Sequence, residues 1–118
     1  MNINIADKEK YIPTTNGNDK SDSPIIFNLR FLTCEEQTEM EYFQYSFGSG
    51  KAGPVKVKID NKYIFARSVE SIENLKAGDK VIDTAERFMS LRGPKWMADM
   101  ITEVALHIKN AMEIDEKN

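Results

Sequence analysis

One cysteine and one histidine stand among the 118 residues, and each shortage excludes a class of chemistry. Cys34 alone closes no intramolecular disulfide and builds no cysteine zinc cluster, and His107 alone cannot serve a site that needs two imidazoles. Basic residues are short as well. Sixteen Lys+Arg against 19 Asp+Glu leave a formal charge of −3 and a pI near 5.2, which argues against a chain whose main task is neutralising nucleic-acid phosphates. Long hydrophobic runs are missing too. Met1–Lys10 has neither the apolar core of a signal peptide nor the length of a membrane span, so no membrane partner is expected and the cytoplasm is the expected compartment. The length fits one domain with a modest core of three or four packed elements.

What is present is unevenly charged. Residues 48–67 carry a net +4, between residues 24–47 and 68–118 at net −3 each. Thr14–Ser23 is almost free of apolar side chains and reads as a mobile loop, so residues 1–23 form a flexible lead to a domain over 24–118. Lys10–Ile12 is a candidate short strand beside the next element. Ile25–Thr33 alternates Ile25, Phe27, Leu29 and Phe31 with a mixed set, the pattern of an interior strand. Thr33 and Glu36 have the spacing of a capping box, opening a helix to about Tyr45 with Met40, Phe43 and Phe47 on one side and Tyr42 and Tyr45 nearly opposite.

The clearest hairpin pattern follows a connector with three glycines: Val55–Ile59, a turn at Asp60-Asn61-Lys62, then Tyr63–Arg67. A two-residue turn puts Lys56, Lys58, Tyr63, Phe65 and Arg67 on the outer face. A three-residue turn exchanges the faces of the second strand, and both registers stay open. Val69, Ile72 and Leu75 are spaced by three, as in a helical turn. A helix near 80–92 is expected from Val81, Ile82, Ala85, Phe88 and Met89. Gly93-Pro94 breaks it, and a last helix runs over 95–112 with Leu106 in the middle of its polar face. The fold class is therefore α+β: a small antiparallel sheet of three or four strands, including the hairpin, packed against about three helices.

No catalytic, cofactor or metal site is expected. Glu103 and His107 are four apart on a helix, but without a second histidine they read as an edge histidine hydrogen-bonded to a carboxylate. Cys34 sits at a helix start, where thiols are acidified, yet Glu35 and Glu36 oppose a thiolate and the residue reads as a buried small hydrophobe. Gly48–Gly53 lacks the hydroxyl and the following helix of a phosphate-binding loop. The signals that remain are surfaces. Tyr42, Tyr45, Lys56, Lys58, Tyr63, Phe65, Arg67 and Leu106 are the candidate partner-binding residues, for another protein or a second copy of the chain; nucleic acid is the less favoured partner.

Tyr11-Ile12-Pro13 after a polar lead, the extended Pro24–Thr33, the acidic helix start Cys34-Glu35-Glu36-Gln37, and a helical C-terminal half around Ala85-Glu86-Arg87-Phe88 and Trp96 together resemble the tail assembly chaperones of long-tailed bacteriophages. The resemblance implies a non-enzymatic protein of the infected host's cytoplasm that coats the tape measure protein and recruits tail tube subunits. The alternatives are a structural virion subunit, such as a head–tail connector or tail-completion protein, and a small regulatory binding module.

Overall fold

The computed structural model describes Met1 and residues 8–39 and 60–114. Their architecture is α+β. Strands β1 (Lys8–Tyr11), β2 (Ile26–Arg30) and β3 (Val69–Glu73) form an antiparallel sheet in that order. A two-stranded hairpin, β4 (Lys76–Ala77) and β5 (Lys80–Val81), continues from β3. Helix α1 begins at residue 34 and is described to residue 39; α2 spans Asn61–Ser68, α3 Ala85–Ser90 and α4 Lys95–Ala111.

The sheet has two unlike faces because side chains alternate along each strand. Phe27 and Leu29 of β2 are fully buried, and their neighbours Tyr11 and Glu9 of β1 share that face. Phe27, Phe65 of α2 and Phe88 of α3 meet with ring centroids 5.4–5.6 Å apart, two of the three pairs edge-on. Met100, Val104, Ala105 and Ile108 of α4 complete this core. On the opposite face Asn28 donates to Ser71 Oγ and Glu73 Oε2, both at 2.9 Å, and Lys10 reaches the same Glu73 carboxylate at 3.1 Å.

The lead expected over residues 1–23 supplies an edge strand and an anchored turn. Tyr11 pairs with Phe27. The 3₁₀ segment Thr15–Lys20 kinks at Asn16 and Gly17, which take φ values of 58° and 70°, a region that asparagine and glycine enter most cheaply. Asn18 closes the loop: its amide donates to Pro13 O and Ile25 O, and its carbonyl accepts Ile25 N–H at 2.8 Å.

Three expectations are corrected. Tyr63–Arg67 is helical, and Val55–Ile59 lies outside the described residues. Asp60 is an N-cap, its Oδ1 accepting Lys62 N–H at 2.9 Å and Tyr63 N–H at 3.4 Å. Ile64, Phe65 and Ser68 then form the buried side, a spacing that only a helix satisfies. Val69–Glu73 is a strand, not a helical turn. The register slips between Asn28 and Leu29, leaving Glu70 as the extra residue of a bulge, so Val69 and Ile72 both face the core although three apart. The helix expected near 80–92 is shorter. Gly78, at φ 65°, turns the β4–β5 hairpin, and Thr84 caps α3 by accepting Arg87 N–H at 3.1 Å. The predicted capping box of α1 is present: Thr33 Oγ1 accepts Glu36 N–H at 3.1 Å and Glu36 accepts Thr33 N–H at 2.9 Å.

Candidate functional site

Polar side chains gather where β1 and the 3₁₀ turn lie against α4. Glu103, on one flank of α4, is the centre. Its carboxylate accepts Tyr11 Oη–H at 2.6 Å, the backbone N–H groups of Thr14 and Thr15 at 2.8 Å each, and the Thr15 hydroxyl. Pro13 turns the chain after β1 so that two successive N–H groups point at one anion, which is how a backbone concavity holds a carboxylate. Burial, the largest single influence, pushes the Glu103 carboxyl upward. The hydrogen bonds from Thr15, Tyr11 and the backbone outweigh it and hold the group at about 2. Burial and the Glu103 carboxylate drive the Tyr11 hydroxyl the other way, to about 12.

One turn further along α4, His107 stacks on the Tyr11 ring with centroids 4.1 Å apart and planes 18° from parallel. Its Nε2 meets Glu9 Oε1 at 2.5 Å. The edge histidine paired with a carboxylate is therefore present, but the carboxylate is Glu9 of β1. Glu103, four residues away on the same helix, is taken up by Tyr11, Thr14 and Thr15. The set Glu9, Tyr11, Thr14, Thr15, Glu103 and His107 acts as a latch joining the N-terminal segment to α4. Its central carboxylate is saturated with donors and stays ionised at neutral pH. No group of three or more potential metal ligands occurs among the described residues.

The sequence-predicted surface residues are dispersed. Tyr42, Tyr45, Lys56 and Lys58 lie outside the described residues. Phe65, expected on an outer face, is fully buried between Phe27 and Phe88, because the helical form of Asn61–Ser68 turns it inward. Tyr63 and Arg67 do come together, one helical turn apart, with the guanidinium 5.3 Å above the Tyr63 ring. The Tyr63 hydroxyl lies 3.2 Å from both Glu36 O and Glu39 Oε2, and burial, then Glu39, raises its pKa. Cys34, expected to be buried, is exposed at the first position of α1. The capping box leaves Glu36 and Gln37 half-buried and directs Cys34 to solvent.

Leu106 is half-exposed, as expected of an apolar residue on a polar helix face. The solvent stripe of α4 runs Ala98, Asp99, Thr102, Leu106 and Asn110, leaving Leu106 among small and polar neighbours. Two features were not legible in the sequence. Glu9 joins His107 across 98 residues, and no local pattern announces that pairing. A groove lies between β5 and α3, lined by Lys80, Val81 and Ile82 and by Arg87, Ser90 and Leu91, residues that the sequence pattern placed on one helix.

No helix among the described residues is long and apolar enough to cross a membrane. Comparison with protein-family models, curated proteins and solved structures found no match to this chain.

Proposed function

We propose that this chain is a non-enzymatic, protein-binding protein of phage tail assembly, which chaperones the tape measure protein and recruits tail tube subunits to it. The order of sequence features that resembles the tail assembly chaperones supports the reading. The observation that carries it is Leu106, half-exposed on the solvent side of a 17-residue helix whose other side is core. An apolar residue ringed by Thr102 and Asn110 is the form an anchor takes when a helical partner lays its own apolar stripe across it. The Glu103 latch serves this role by fixing the helix, since a rigid face loses less entropy on binding.

The test is co-expression with a tape measure protein of a long-tailed phage. A soluble complex, together with absence of this chain from purified particles, is the expected result. Presence in particles at fixed copy number would instead establish the connector or tail-completion reading. Failure to bind any tail protein would overturn both.

A further inference from the structure

The outer strand of the β4–β5 hairpin and α3 enclose a groove that the latch and Leu106 do not involve. Lys80, Val81 and Ile82 form one wall, and Arg87, Ser90 and Leu91 form the other, around an open depression of about 530 Å³. That volume is within the range of sites that accept small ligands and short peptides. Val81 is half-exposed although apolar.

The hairpin register decides what the groove presents. Ala77 and Lys80 flank the two-residue turn, and Ile82 N–H donates to Leu75 O at 2.9 Å. The Lys76–Val81 pair between them is a non-hydrogen-bonded pair, so the N–H and C=O of Val81 point away from β4, toward the groove. Among the described residues the carbonyl is met by Arg87 Nη1 at 3.4 Å, a long contact from a guanidinium that also holds Asp83 Oδ1 at 3.1 Å. Lys80 and Arg87 are the charged lining residues and both are cationic.

We infer that the β5–α3 groove binds an extended, acidic peptide segment of a partner protein by strand addition at Val81. One peptide residue exchanges both backbone hydrogen bonds with Val81, and its N–H replaces the long Arg87 contact. Apolar side chains on one face of the added strand cover Val81 and Leu91. A carboxylate on the segment takes the charge-assisted bonds of Arg87 and Lys80. This inference does not rest on the tail-assembly reading, because its probe is a synthetic peptide rather than a tail protein.

The probe is a fluorescein-labelled hexapeptide, Thr-Val-Asp-Val-Thr-Val, followed by anisotropy and by amide shifts of the ¹⁵N-labelled full chain. Saturable binding with shifts at Lys80, Val81, Ile82, Arg87 and Leu91 is expected. Arg87→Gln, or Asn in place of the peptide Asp, weakens binding about tenfold, the worth of one charge-assisted hydrogen bond. Lys80→Gln gives a second variant at an exposed position. The same peptide N-methylated at alternate residues keeps its charge and loses binding. Equal binding of the N-methylated peptide, shifts confined to β1, or no saturable binding overturns the inference.

Discussion

A Glu103→Gln exchange keeps the shape of the side chain and removes its charge, so it isolates what the latch contributes. Glutamine retains one carbonyl oxygen to accept from a backbone N–H, but its NH₂ group then faces a second N–H that cannot rotate away. The Tyr11 and Thr15 hydroxyls can reorient; the Thr14 and Thr15 amides cannot. A carboxyl held at about 2 against an ordinary 4.5 corresponds to roughly 3.4 kcal/mol, at about 1.4 kcal/mol per pKa unit. The group is partly open to water, which screens the interaction, so about half of that, roughly 1.7 kcal/mol, is the expected destabilisation at pH 7. For a chain of this size the loss lowers Tm by roughly 7 °C. The sign of the pH dependence follows from the depressed value. Glu103 stabilises the fold fully above about pH 4.5, and its contribution is lost as pH falls toward 2. Urea unfolding of wild type and variant between pH 7 and pH 3 therefore gives a gap that shrinks by more than half. A gap below about 0.5 kcal/mol at pH 7, or one that stays constant to pH 3, refutes the latch.

Three further outcomes test the fold around it. Phe65→Ala removes a fully buried ring and costs about 3–5 kcal/mol in chemical unfolding; a change under about 0.5 kcal/mol would return Phe65 to a surface. Thr33→Ala breaks the capping box of α1 and costs about 1 kcal/mol, measured the same way, and an unchanged midpoint would contradict the cap. The Tyr11 hydroxyl, held to about 12, keeps its proton when an unfolded tyrosine has lost it, so Tyr11 stabilises the fold below about pH 10 and ceases to as pH rises through 12. Ultraviolet titration of wild type against Tyr11→Phe shows the missing chromophore only near that upper value; a difference already complete near pH 10 would refute the hydrogen bond.

The parts of the fold legible in the sequence are those where one local rule governs. Ile25–Thr33 alternates, Thr33 and Glu36 complete a box within four residues, and Pro94 precedes a strongly amphipathic α4. The failures arise where two rules compete. Tyr63–Arg67 has the β-branched and aromatic character of a strand, but Asp60 caps the chain and tertiary contact with Phe27 and Phe88 rewards burying Ile64 and Phe65 together. Val69 and Ile72 imitate a helical spacing because a bulge interrupts strand alternation. The Glu103–His107 pair was visible as a spacing, whereas its partners Glu9, Tyr11, Thr14 and Thr15 come from nearly a hundred residues away, where no periodicity reaches.

The claim that the solvent face of α4 is a partner surface is tested most directly by Leu106→Glu. The side chain is half-exposed and outside the latch, so unfolding free energy stays within about 0.5 kcal/mol of wild type. In the co-expression test of the proposed function, with a phage tape measure protein, the wild-type chain is expected to recover that protein in a soluble complex and the variant to leave it insoluble. A variant that solubilises the partner as well as wild type does would contradict the account.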